Sequence, residues 1–178
     1  MNSLKGFTLI ELLIMIAMIS IITATLFVDH SANTSYFSLE RSVQGIGQDF
    51  RKAQSMSLSG IRDYPDINGY GLYFNSGINI NNAYTIYANT NDDPFYNAGD
   101  RVVEIIQLPE NVVIEEIKIN TATVNFISAS FFPPGPITFI DNNSSGFDAT
   151  IILKLTDKEN VRKAIRINNS GAFEIYNP

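Results

Sequence analysis

The first strong pattern in the chain is an unbroken apolar run. From Phe7 to Val28, FTLIELLIMIAMISIITATLFV, 22 consecutive residues carry one ionisable side chain, Glu11. As a helix the run extends about 33 Å at 1.5 Å per residue, close to the roughly 30 Å hydrocarbon core of a bilayer, so it predicts a membrane-spanning helix. Residues 29 to 35, DHSANTS, are polar and poor in helix formers. Apolar positions then return at Tyr36, Leu39, Val43, Ile46, Phe50 and Ala53, with the 3- and 4-residue spacing of one helical face. Glu40, Arg41, Gln44, Gln48, Asp49, Arg51 and Lys52 occupy the solvated side. No proline precedes Pro65, so one long helix from Phe7 to about Leu58 is allowed, with Gly45 and Gly47 as places for a bend. The stripe suits either a coiled-coil seam or a docking face onto the chain's own globular domain; the second is favoured.

After Ser59 the period changes. Segments 70–74, 84–88, 101–107, 112–119, 123–127, 137–140, 150–155, 163–167 and 173–176 are rich in Val, Ile, Thr, Tyr and Phe. Clusters such as NSG, NDDP, LPEN, PPGP and DNNSSG separate them, and Asn168–Gly171 reads as the turn of a terminal hairpin. No helical pattern returns between the strands, which argues against parallel βαβ units. The expected fold is α+β: a long N-terminal hydrophobic helix packed on a mostly antiparallel β-sheet or sandwich.

Composition narrows the function classes. The chain has 178 residues, 45% of them hydrophobic and 17% charged, enough for one core and unlike a disordered tail. Acids outnumber bases 18 to 12, giving a net charge of −6, which opposes general binding to nucleic acid or anionic lipid. The absence of cysteine excludes disulfides, thiol catalysis and thiolate zinc sites. A single histidine disfavours proton-shuttle and metal chemistry. With no nucleophile–base–acid set and no phosphate-cradling glycine loop, an enzyme is not expected.

Lys5 before the apolar run biases the N-terminus toward the cytoplasm and the remainder outward. A secretory signal cut near Ile22-Thr23-Ala24, or a plain anchor, would explain the run but not Glu11. A carboxylate within an apolar helix costs up to about 3 kcal/mol on insertion scales. Neither role repays that cost; a positive partner at similar depth would.

The string K-G-F-T-L-I-E-L-L-I, Lys5 to Ile14, resembles the processing and assembly signature of type IV pilins and type II secretion pseudopilins. The resemblance implies that a prepilin peptidase cuts after Gly6 and that Phe7 becomes N-methylated. Glu11, at the fifth mature position, then accompanies the new amine through assembly. A neighbour's Glu11 would neutralise the Phe7 ammonium in a low-dielectric helix bundle and set axial register. The order of the pieces is similar to FimT-like minor pilins and H-type pseudopilins, with echoes in RKAQSMS, GYGLYF, YTIY, LPENV and IRINNSG. The implied organisation is a leader at 1–6, a transmembrane and assembly helix at 7–28, its amphipathic continuation at 29–60 and a β-rich extracytoplasmic domain at 61–178. The implied partners are other pilin or pseudopilin subunits, the prepilin peptidase and N-methyltransferase, an inner-membrane assembly platform, and membrane lipid before assembly. The expected location is the inner membrane, then a pilus or pseudopilus.

Other candidates weigh less. Some FimT-like pilins bind DNA through a C-terminal Gly-Arg-x-Arg element, but the matching place reads Gly171-Ala172-Phe173-Glu174, without either arginine. The nearby bases Lys158, Arg162, Lys163 and Arg166 fit a solvated strand edge as well as a nucleic-acid contact, and nucleic acid is not expected. Asp141, Asn143 and Ser145 place oxygen donors at positions 1, 3 and 5 of a calcium-type loop, with Gly146 at 6. Position 12 is Ile152 rather than a bidentate glutamate, and Asx-rich turns are common for conformational reasons. No cofactor is expected, calcium being the one weighed. A second acidic loop, Asn91-Asp92-Asp93-Pro94 to Asp100, lacks a ligand spacing. His30 beside Asp29 reads as a solvated bystander. Tyr70, Tyr73, Phe74, Tyr84 and Tyr87 read as core and cross-strand packing. The FFPPGP run at 131–136 is either a partner surface or a rigid turn. The alternatives to a filament subunit are a DNA- or surface-binding minor pilin and an exported or anchored β-rich domain unrelated to pili.

Overall fold

Among the described residues, the β-branched and aromatic segments beyond Ile67 pair into ten strands, all antiparallel, in two five-stranded sheets. A computed structural model describes residues 6–59, 66–78, 80–91, 93–134, 137–158 and 160–178, with the backbone alone at 26–33. Sheet A has the order β3-β2-β1-β6-β7, built from β1 (Gly69–Asn75), β2 (Ala83–Asn89), β3 (Arg101–Gln107), β6 (Phe126–Phe132) and β7 (Ile137–Ile140). Sheet B has the order β10-β9-β8-β4-β5, built from β4 (Val112–Ile119), β5 (Ala122–Val124), β8 (Asp148–Leu155), β9 (Arg162–Asn168) and β10 (Phe173–Tyr176). The chain passes between the sheets three times, after β3, β5 and β7. The segment expected at 123–127 divides at Asn125 into β5 and β6, and β6 continues to Phe132. Phe131 and Phe132 of the FFPPGP run are therefore strand; Gly135 and Pro136 lie outside the described residues.

The helix, α1, spans Leu9–Ser59, with side chains described over 9–25 and 34–59. The chain divides into two units, residues 1–36 and 37–178. In the second unit Leu39, Val43, Ile46, Phe50 and Ala53 are all buried, within one core shared with both sheets. Their 3–4 spacing puts all five on one face, and Tyr70, Leu72, Phe74, Ile86, Ile127, Ile151, Leu153 and Ile165 complete the same core. Tyr36, the first residue of the expected stripe, is instead 48% exposed. At the helix end the Ser57 hydroxyl donates to the Phe131 carbonyl at 2.7 Å and accepts from the Tyr70 amide at 3.0 Å, tying α1 to β6 and β1.

The α+β expectation with a long hydrophobic N-terminal helix is overturned. The fold is predominantly β, and no helix among the described residues is long and apolar enough to cross a membrane. Among the described side chains, the apolar part of α1 runs over 9–25. The next described stretch, 34–59, carries seven charged or amide side chains between Glu40 and Lys52. Lys5 and Asp92 fall outside the described residues, as do the side chains of Asp29 and His30.

Candidate functional site

The N-terminal unit begins its helix with a reciprocal cap. Thr8 precedes the first helical residue, Leu9, and Glu11 stands three positions on. The Thr8 amide donates to Glu11 Oε2 at 2.9 Å and the Thr8 hydroxyl donates to the same oxygen at 2.8 Å. In return the Glu11 amide donates to Thr8 Oγ1 at 3.3 Å. This is the capping-box arrangement, in which side chains satisfy the amides that no preceding turn can reach. A carboxylate in the first turn also lies at the positive end of the helix dipole. Glu11 Oε1 accepts no hydrogen bond among the described residues. The acid therefore has a local task at the helix start, carried by one of its two oxygens.

Around it stands an exposed apolar surface. Phe7 is 78% exposed and Leu9 83%, and every described side chain from Gly6 to Thr25 is exposed. Ser20 and Thr23 turn their hydroxyls back onto the Ile16 and Ile19 carbonyls at 2.8 and 2.7 Å, so these polar groups are satisfied within the helix. Gly6 and Phe7 thus precede an exposed apolar helix whose first turn carries Glu11. Thr8 was missed by the sequence reading, although T-L-I-E directly before an apolar run is itself the signal of a capping box.

The basic residues of β9 are engaged by acids. Arg162 grips Glu115 through Nε and through Nη2, the latter at 2.8 Å, and Lys154 reaches the same carboxylate at 3.5 Å. Hydrogen bonds from Arg162, then its charge, hold the Glu115 carboxyl below the usual range. Lys163 pairs with Glu40 at 2.9 Å, and Arg166 pairs with Glu174 at 3.1 Å while lying over the Tyr176 ring. Glu174 thus binds Arg166 where the DNA-binding element would carry an arginine. Charges of both signs alternate across this face, which gives a phosphate backbone no uniform field.

Asp141, Asn143 and Ser145 differ in what their side chains meet. Asn143 spends its side-chain amide on the Asp141 carbonyl at 3.0 Å, and Ser145 is exposed. Asp141 Oδ1 is buried without a hydrogen-bond partner, and burial raises its carboxyl above the usual range. Among the described residues no group of three or more His, Asp or Glu side chains could hold a metal ion. In the second acidic loop Asp93 and Asp100 accept bonds from Asn97, Phe95 and Thr90, fixing the loop's own backbone. Tyr84 and Tyr87 are buried, Tyr84 donating to Asp49 at 2.5 Å and Tyr87 meeting Ser130 Oγ at 2.6 Å. Tyr73 is partly covered by Tyr96 at a ring separation of 4.8 Å.

No protein-family model, curated protein or solved structure matches the chain.

Proposed function

We propose that this protein is a structural subunit of a filament of the type IV pilus or type II secretion pseudopilus kind. It is cut after Gly6, N-methylated at Phe7 and assembled through the apolar residues that follow. One observation supports this reading above the others: the helical stretch 9–25 exposes all its side chains, and Glu11 is its only ionisable group. Apolar helix left in water is unfavourable in proportion to its area, so it calls for cover. Like segments of neighbouring subunits supply that cover in a filament, and membrane lipid supplies it before assembly. The carboxylate of Glu11 is then available to the Phe7 ammonium of a neighbour, where an unpaired charge of either sign would be costly. The peptidase, the methyltransferase and an inner-membrane assembly platform are the partners of this route, with the β-rich unit held outside the cytoplasm.

The test is the N-terminal peptide mass of the protein in sheared surface filaments and in membranes. A peptide beginning at N-methylated Phe7 in the sheared fraction is the outcome expected of a pilus component. The same peptide confined to membranes indicates a pseudopilin. A chain that retains Met1, or one cut after Ala24, overturns the proposal.

A further inference from the structure

The loops at one end of the sandwich carry Asn-x-Ser triplets, the acceptor signal for N-linked glycans in exported chains. Three have described side chains: Asn142-Asn143-Ser144, Asn143-Ser144-Ser145 and Asn168-Asn169-Ser170. Both loops meet through Asn169, whose side-chain amide donates to the Asn143 carbonyl at 2.7 Å. Their geometries differ in what a transferase would have to undo.

Asn168 Oδ1 accepts from the Ser170 amide at 3.0 Å, from the Ser170 hydroxyl at 2.6 Å and from the Ala172 amide at 3.2 Å. Its amide group is the hub of the β9–β10 turn, and lifting it breaks all three bonds. Asn143 exchanges two backbone hydrogen bonds with Ile140, at 2.9 and 3.0 Å, and spends its side chain on Asp141. Asn142 has neither restraint. It is exposed, it sits at φ 71° on the turn's tip, and its side chain makes no hydrogen bond among the described residues. Ser144, which supplies the hydroxyl two positions on, is also exposed and makes no side-chain bond there. Ser145 and Gly146 continue the exposed turn.

We propose that Asn142 is an N-glycosylation site. The donor is a lipid-diphosphate-linked oligosaccharide presented by a membrane transferase. A bond forms between Asn142 Nδ2 and the anomeric carbon of the first sugar, and the bond from that carbon to the diphosphate oxygen breaks. The lipid diphosphate leaves with the electron pair, and the amide proton passes to a base of the transferase. The inference rests on the proposed export of the β-rich unit, because donor and transferase act outside the cytoplasm.

The experiment is a digest of the full-length protein from its native cells, analysed by mass spectrometry at two peptides. The expected result is a saccharide-bearing peptide that localises to Asn142, disappears in Ser144→Ala and persists in Asn168→Gln. Ser144 is exposed and unbonded, so its loss leaves the fold intact. An unmodified Asn142 in the wild-type protein overturns the inference, as does a glycan placed on Asn143 or Asn168. The N-terminal peptide separates the two proposals. Processing at Phe7 with a bare Asn142 defeats this inference alone, and a glycan on Asn142 without that processing defeats the filament reading alone.

Discussion

Gly47 lies directly against the ring of Phe173: a β-carbon at position 47 would come within 2.8 Å of Phe173 Cε2. That ring is held from two other sides, by the Arg51 guanidinium 5.0 Å above it and by Phe50 at a centroid distance of 6.4 Å. Gly47→Ala should therefore lose stability. The roughly 1 kcal/mol gained in helix propensity is outweighed by about 1–3 kcal/mol of overpacking. Gly45, two positions away, has nothing within 4 Å of the corresponding point. Gly45→Ala should stabilise by about 0.5–1 kcal/mol. Urea unfolding of the two variants, followed by circular dichroism, should displace the midpoint in opposite directions.

The two tasks of Glu11 can be separated by one substitution. Glutamine at the third helical position still completes a capping box but carries no charge. Glu11→Gln should keep the helix start and its processing while incorporation into filaments falls toward background. Thr8→Ala should do the reverse, fraying the first turn while leaving the charge in place. Immunoblots of sheared filaments against total protein read both effects. Normal incorporation of Glu11→Gln would reduce the acid to a helix cap.

Tyr84→Phe should cost about 2 kcal/mol, the range for a buried hydrogen bond to a charged group. The hydroxyl donates to Asp49 at 2.5 Å from a side chain only 3% exposed. Burial first, then the bond to Asp49, raises the phenol above its ordinary range, so the interaction persists through neutral and mildly alkaline pH. A thermal scan of the variant at pH 7 and pH 9 should show the same loss at both.

Asp141→Asn should stabilise the protein at pH 7 by up to about 1 kcal/mol, since it removes a charge whose Oδ1 is buried without a partner. Burial raises the Asp141 carboxyl in the folded state. Ionisation therefore weighs against folding above the unfolded value and not below it. The advantage of the variant should be present at pH 7 and vanish as pH falls through the folded value into the lower carboxylate range. An advantage that stayed constant down to pH 3 would point to packing instead of charge.

Periodicity made much of the β-rich unit legible. The expected segments at 101–107, 112–119, 137–140 and 173–176 coincide with β3, β4, β7 and β10. The 3–4 spacing picked out the five buried hydrophobic side chains between Leu39 and Ala53. Local pattern could not reveal what depends on distant neighbours. It treated Gly45 and Gly47 alike, because the contact with Phe173 joins positions far apart in sequence. It left Phe131 and Phe132 between a partner surface and a rigid turn, because the prolines after them hid strand pairing with Ile137 and Thr138. At the N-terminus the cost of burying a carboxylate drew the reading to a distant partner for Glu11, while its nearest partner stood three residues back. The charges of β9 looked available because their acids, Glu40 and Glu115, lie 123 and 47 residues away from Lys163 and Arg162 in the chain.

The three passages of the chain between sheets also govern when the molecule can fold. Sheet A waits for β7, which ends at Ile140, and sheet B waits for β8 to join β4 to β9. Pairings across such sequence distances form slowly, because loop closure precedes any gain from contact. A ribosome or translocation channel releasing this chain from its N-terminus would deliver the helix residues and six strands before the first sheet could be finished. A chaperone that shields β-rich segments during that interval would have its longest engagement with β1 to β6.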